Sequence, residues 1–209
     1  MAMDLLFPAD LLFPADVAAD VRIEWSPVRP PYGSVQESAA GRRAASAALV
    51  AAGAAESVVA RHADGRPRFP RGFAGSISHT DRLAVAVVVP GAAGVGVDIE
   101  NAVISPRVAH FVLRESERRA LLAPGAGFTP RELFAAKEAA FKVLYGPDTS
   151  ADLLFWRVGL SRSGDALEAS YRGARVPVRV RSEVDVSLAV ALDLRARRSP
   201  VTLLPCRHG

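Results

Sequence analysis

Residues 83–100 read LAVAVVVPGAAGVGVDIE, two apolar runs split by Pro90, Gly91 and Gly94 and closed on acidic residues. Apolar runs this short, bounded by breakers and rich in valine, predict buried strands. Residues 83–89 and 95–99 are therefore expected as strands. Residues 74–79 form another, joined to the first by a turn at Thr80, Asp81 and Arg82. A chain with such strands must cover them. With 209 residues, half of them hydrophobic, it can bury a substantial core in one large domain or two small ones.

The covering helices are marked by their ends. Residues 36–52 are alanine-rich, interrupted only by Gly41, and stop near Gly53. Thr129 followed by Pro130, with Glu132 in the first turn, predicts an N-cap and a helix running to about Leu144, stopped by Gly146 and Pro147. Ser105 and Pro106 open a third helical stretch that includes residues 115–122. Residues 21–25 and 58–62 read as strands. Residues 155–161, 166–171, 176–182 and 184–192 alternate like antiparallel β, the last two as a hairpin. The fold class is α+β, in two similar α/β halves, 1–103 and 104–209, each with one long helix and several strands. The hexad LLFPAD occurs twice in succession, at residues 5–16, too short to be a solenoid unit, and carries no functional expectation.

Composition narrows the class of function only slightly. The formal net charge is +4 and the sequence pI about 9.8, supplied almost wholly by arginine. An acidic partner, a polyphosphate ligand and nucleic acid all fit that balance. Cys206 is the only cysteine, so no intrachain disulfide forms, and no Cys/His set has zinc spacing. No apolar run is long enough to span a membrane, and the N-terminus lacks a signal-peptide pattern. The expected location is cytoplasmic.

Three segments can carry chemistry. In GVGVDIE, Asp98 and Glu100 are two apart on a strand and share a face. Two carboxylates so placed either accept a hard cation such as Mg²⁺ or stand as solvated acids at a strand end. In LFAAKEAAFKVLY, Glu138 and Lys142 share a helix face, as an exposed ion pair or as working groups. Lys137 and Lys142 are the only lysines of the chain, which favours a site that prefers a compact ammonium over guanidinium. In GSISH, Ser76 and Ser78 share a strand face and His79 ends the strand. No GxSxG elbow accompanies them, and neighbours on a strand point to opposite sides, which argues against a serine hydrolase. Arg66 is held between Gly65 and Pro67, and Arg42 and Arg43 sit on the first long helix, where each is either a surface arginine or a phosphate contact.

In their order, these pieces resemble the 4'-phosphopantetheinyl transferase family. Its GRP-like turn, (G/N)SxSH segment, GxDxE strand and (W/F)xxKExxxK helix stand here as residues 65–67, 75–79, 96–100 and 134–142. Phe134 at the helix start and the stretch ESAAGR at 37–42 resemble the short bacterial, siderophore-synthesis branch (enterobactin synthase component D-like). The resemblance covers roughly residues 35–160. It implies two halves related by a pseudo-twofold with coenzyme A between them, and transfer of 4'-phosphopantetheine to a serine of an acidic acyl or peptidyl carrier protein, releasing 3',5'-ADP. It implies Mg²⁺ on Asp98, Glu100 and Glu138; Lys142 on the pyrophosphate; Arg42, Arg66 and His79 facing the 3'-phosphate, with Ser78 nearby. Glu138 is the candidate base and Lys137 a helper in neutralising phosphate. Two positions that are often basic in that branch are Ser34 and Ser46 here, and Arg43 is the candidate substitute. A monomer without nucleic-acid or membrane partners is expected. A metal-dependent nuclease, the rival enzyme reading, expects a lysine at position 102, which is alanine. A coenzyme A or nucleotide-binding module without chemistry is the non-enzyme rival.

Overall fold

The computed structural model describes residues 7–145 and 154–195. The start of the LLFPAD repeat, Gly146, Pro147, Cys206 and the tail from Pro200 lie outside the described residues. In chain order the elements are α1 (Ala15–Ala18), β1 (Arg22–Pro27), α2 (Ser34–Ala51), β2 (Ala60–Arg61), β3 (Pro67–Arg68), β4 (Phe73–His79), β5 (Leu83–Pro90) and β6 (Gly94–Glu100). There follow α3 (Pro106–Val112), α4 (Glu115–Leu121), α5 (Pro130–Leu144), β7 (Gly159–Ser163), β8 (Ala166–Tyr171), β9 (Ala174–Ser182) and β10 (Ser187–Asp193). None of the described helices is long and apolar enough to cross a membrane.

β5 is apolar throughout because both its faces are covered. Val85, Val87 and Val89 pack with Val95, Val97, Ile99, Leu188, Val190 and Leu192 of the other sheet. Ala86 and Val88 pack on α2 through Ala44, Ala45, Ala48 and Leu49. One sheet has the order β1-β5-β4 and the other β6-β10-β9-β8-β7. α5 lies on the second sheet, where Ala135, Ala136, Ala139 and Ala140 meet Ala189, Ala191 and Val178. The layers therefore run α2, first sheet, second sheet, α5. The small residues of both helices let them approach their sheets closely.

The expected strand at 95–99 exists, but its partner is not in the preceding sheet. β6 pairs antiparallel with β10, Val97 opposite Val190 and Asp98 opposite Ala189. The sheets thus divide at the turn between Pro90 and Gly94. β6 crosses over because its apolar side, Val95, Val97 and Ile99, is the one that faces the first sheet. Residues 155–161 also depart from expectation: Phe155–Arg157 form a 3₁₀ turn and the strand begins at Gly159. Phe155 is drawn into an edge-on contact with Phe134 of α5, ring centroids 5.3 Å apart. The helix expected to open at Ser105 is two short helices, α3 and α4.

α5 starts as its sequence requires. Thr129 accepts from the Glu132 amide, and the Glu132 carboxylate accepts from the Thr129 amide at 2.6 Å, a reciprocal capping box ahead of Pro130. Both copies of the hexad serve the core: Phe7 from the first and Leu12 and Phe13 from the second are buried beside Val21, Val85 and Val190.

Candidate active site

The even-numbered side chains of β6 point at α5. Gly96 is obligatory there, since a Cβ would lie 1.9 Å from the Ala139 carbonyl oxygen. That contact sets Asp98 and Glu100, further along the same face, beside the α5 residues Glu138 and Lys142. Lys142 Nζ donates to the Val97 carbonyl at 2.7 Å and to Asp98 Oδ1 at 3.0 Å. Ser78 Oγ from β4 donates to the same Asp98 oxygen at 2.8 Å. Three elements from both sheets are thereby tied at one buried carboxylate. Glu100 Oε1 accepts from the Ala102 amide at 2.8 Å.

Glu138 is half-buried, and its carboxyl titrates above the ordinary range. Burial is the main cause; the Asp98 charge pushes the same way, Lys142 opposes it, and Glu100 adds to it. A carboxylate crowded by two others gains from a cation. Among the described residues, no three His, Cys, Asp or Glu side chains are gathered closely enough to hold a metal ion. The cation that touches Asp98 in this arrangement is the Lys142 ammonium. The donors of Asp98, Glu100 and Glu138 are all oxygen, the chemistry that a hard divalent ion prefers.

Two adjoining cavities open near these groups. One, about 200 Å³, is lined by Glu37, Ser38, Arg42, Arg61 and His79. The other, about 300 Å³, is lined by His62, Arg66, Ser76, Phe141, Lys142 and Tyr145, drawn from both sides of the sheet boundary. They share Pro67 and Ile77. Gly75 shapes this region: a Cβ there would meet the Phe69 ring at 2.4 Å, so only glycine lets that ring lie over β4. A larger cavity of about 460 Å³ near Arg114, Ser170 and Arg175 shares no residue with the carboxylate cluster. Its Arg157 and Arg172 are already engaged, and we assign it no role in the chemistry.

The residues expected from sequence separate into three groups. Asp98, Glu100, Glu138 and Lys142 stand together. Arg42 and His79 line the smaller cavity, His79 with Nδ1 3.7 Å from Glu37, whereas Arg66 lines the larger of the two. Arg43 and Lys137 lie elsewhere, and Ser78 stands with the carboxylates of β6 rather than with His79. Ser78 is buried on Asp98 and turned away from His79, as alternation on a strand dictates. Arg43 is spent on β1, donating to Ser26 Oγ at 3.1 Å and to the Pro27 carbonyl at 2.9 Å.

Lys137 corrects the expectation most sharply. It is fully buried, with Nζ 2.8 Å from Glu117 Oε2 and donating to the Val158 carbonyl at 2.6 Å. Burial holds its ammonium below the ordinary lysine range, and Glu117 opposes that shift. Glu117 is itself satisfied by the Leu160 amide at 2.8 Å and the Arg114 amide at 2.7 Å. One turn of helix contains both roles: Glu138 faces the carboxylates of β6, and its neighbour Lys137 locks α5 to α4 and β7.

Arg114, Arg118 and Arg119, around α4, are committed locally. Arg114 donates to the Arg157 carbonyl, Arg118 to the Leu113 carbonyl, and Arg119 pairs with Glu115. Arg61, His62, Ser38 and Tyr145 are cavity residues that sequence reasoning missed. Only Arg61 carried a usable signal, a cation on the short strand expected at 58–62.

Comparison with known families agrees with this geometry. Residues 35–89 match the model of the 4'-phosphopantetheinyl transferase N-terminal domain, and residues 94–191 match that of the 4'-phosphopantetheinyl transferase superfamily. No curated protein matches the chain. The two matched segments meet at residues 90–93, the turn at which the sheets divide. With both segments matched in order, and the acidic strand facing the lysine-bearing helix inside the second, the chain belongs to the 4'-phosphopantetheinyl transferase family and is such a transferase.

Proposed function

We propose that this transferase moves 4'-phosphopantetheine from coenzyme A to a serine hydroxyl of an acyl or peptidyl carrier protein and releases 3',5'-ADP. The observation that carries the reading is the knot of Lys142, Asp98 and Ser78 beside Glu138, with Lys142 at the wall of a cation-lined cavity. We read the two helix-backed sheets as halves related by a pseudo-twofold, with coenzyme A in the cleft between them. Phe134 at the start of the KExxxK helix supports the siderophore-synthesis branch.

Transfer of a phosphoryl group asks for positioning and charge stabilisation more than for covalent help. Asp98, Glu100 and Glu138 would hold Mg²⁺, which when bound offsets charge on the pyrophosphate. Lys142 lies at the wall of the larger cavity, where its ammonium can offset charge on the leaving oxygen. Glu138 takes the proton of the attacking serine. Lys137 takes no part in this chemistry, because its ammonium is enclosed by Glu117 and backbone carbonyls. The basic chain would steer an acidic carrier to it. We read the protein as a cytoplasmic monomer.

Intact-mass measurement of apo-carrier proteins incubated with coenzyme A, Mg²⁺ and the enzyme tests this. The expected result is a gain of one phosphopantetheine on at least one carrier. No gain on any acyl, aryl or peptidyl carrier, under conditions where a known transferase loads them all, refutes the reading.

A further inference from the structure

The cavity of about 460 Å³ that stands apart from the carboxylate cluster is walled by Arg114, Arg157, Arg172 and Arg175, with Ser170 among them. These arginines come from four places: the N-cap of α4, the 3₁₀ turn before β7, the turn between β8 and β9, and β9 itself. Among the described residues the lining holds no carboxylate. Arg175 is paired with Glu168, Nη1 to Oε1 at 2.6 Å, and Arg157 and Arg172 have other contacts as well. The Arg114 guanidinium donates to the Arg157 carbonyl through Nη2. Like charges gathered from separate elements repel unless an anion joins them.

Two backbone positions are given over to this gathering. Gly159 on β7 pairs with Ser170 on β8, which pairs with Arg175 on β9. A Cβ at Gly159 would lie 2.9 Å from Arg114 Nη1 and 3.2 Å from Ser170 Oγ, so the missing side chain is what seats the Arg114 guanidinium on the sheet. The second position is Arg172. Tyr171 pairs with Ala174, so Arg172 and Gly173 form a two-residue hairpin turn, with φ of 47° and 86°. Such a turn needs positive φ at both residues, which favours asparagine, aspartate or glycine at the first. A long cation stands there instead, its guanidinium 5.4 Å from the centroid of the Tyr171 ring. A residue other than glycine in that conformation is disfavoured, and such positions cluster at ligand clamps.

We propose that this cavity is an anion site separate from the transfer site and that it takes a phosphate-type dianion, either free phosphate or a phosphate monoester. Guanidiniums present planar pairs of N–H donors that match the oxygens of a phosphate, and a dianion offsets two of the converging charges. The Ser170 hydroxyl offers a further donor among the arginines. An acidic helix would instead need cations spread along a face. The site uses none of Asp98, Glu138 and Lys142, and it does not depend on the use of coenzyme A.

Thermal melting of the full chain in inorganic phosphate and in glycerol phosphate, each against chloride at equal ionic strength, tests this. The wild type is expected to melt about 3–6 °C higher when the anion exceeds its dissociation constant about tenfold. Arg172→Asn removes one guanidinium and places at φ 47° a residue suited to it, so the hairpin is kept. With affinity weakened about tenfold, this variant should keep only about 1 °C of the rise. Each protein is compared with itself in chloride, so its own baseline drops out. Phosphate bound in the cavities near Lys142 and Arg42 stabilises both proteins alike and drops out of the difference. A rise with both anions that is lost in Arg172→Asn extends the site to phosphate esters, and one with inorganic phosphate alone limits it to the free ion. Equal rises in the two proteins, or none in the wild type, overturn the proposal.

Discussion

The Lys142 ammonium meets the Asp98 carboxylate at 3.0 Å although the two residues lie 44 positions apart. This contact latches α5 to β6 through a charge that the proposed reaction also uses. Alanine at Lys142, Asp98, Glu100 or Glu138 is expected to lower kcat by about 10²–10³, the usual loss for one stabilising group in an active site. Glu138→Gln has a second signature. It relieves the crowding of three carboxylates, so the metal-free variant should melt above the wild type while transferring poorly. Calorimetric melting in chelator, alongside a transfer assay at limiting Mg²⁺, measures both. Near wild-type kcat in any of the four alanine variants removes that residue from the machinery.

Lys137→Met should act on stability. It leaves the Glu117 carboxylate buried without its cation, a change that typically costs about 3–5 kcal/mol. Replacing both residues by apolar ones, as in Lys137→Met with Glu117→Leu, should recover most of that loss. Urea midpoints of the wild type and both variants decide it. If the double variant is no better than the single one, the hydrogen bonds from Leu160 and Arg114 to Glu117 matter more than the ion pair.

Gly96→Ala should be among the most damaging small substitutions in the chain. The added methyl meets backbone oxygen at 1.9 Å, which no side-chain rotation can relieve. Overpacking of this kind costs about 1–3 kcal/mol or more. Activity should fall further than stability, because α5 must move off β6 and carries Glu138 and Lys142 with it. Comparison of urea midpoint with specific activity checks the ratio.

The hexad repeat is structural. Phe7 is 2% exposed and its ring lies 5.9 Å from that of Trp25. Phe7→Ala should cost about 3–5 kcal/mol, as for a buried aromatic elsewhere, and alter the tryptophan emission maximum. An unchanged melting temperature would place Phe7 outside the core.

Asp193 supplies a pH signature. Its carboxyl is held below the ordinary value of 3.8 by the hydrogen bond from Arg195, Nε to Oδ1 at 2.8 Å. A depressed carboxyl contributes stability that is present above the ordinary value and lost as pH falls through the depressed one. Because Arg195 is largely exposed, the contribution is only about 0.5–1 kcal/mol. The stability gap between wild type and Asp193→Asn should therefore be constant from neutral pH down to about 5 and close in stronger acid. A gap that widens in acid contradicts the assignment.

What is local in this protein is legible in its sequence. The box of Thr129, Pro130 and Glu132 announces α5, and the valine runs announce β5 and β6, because caps, breakers and periodicity act over a few residues. The acidic strand and the lysine helix are likewise legible as chemistry. What is not legible is non-local. The pattern of residues 95–99 says strand, but nothing in it says that β10, some ninety residues on, is its partner. Lys137 stands beside Glu138 in sequence, yet a helix turns about 100° between neighbours, which sends it to Glu117 on another element. Arg61 meets Ser38 Oγ only when α2 brings it across to β2.

The pairing of β6 with β10 also sets an order of events during synthesis. The sheet of β1, β5 and β4 has all its strands once residue 90 has left the ribosome. Asp98 and Glu100 follow almost at once, but their strand gains its hydrogen-bonded neighbour only after Asp193 has been made. Long-range closure of this kind is slow. Until it occurs, the face formed by Val85, Val87 and Val89 has lost its cover and is open to association with other nascent chains. A truncated chain that stops before β10 therefore carries every acidic and basic motif of the transferase and still builds none of its catalytic geometry. Such fragments should be captured by chaperones and show no turnover, however faithfully they keep the motifs.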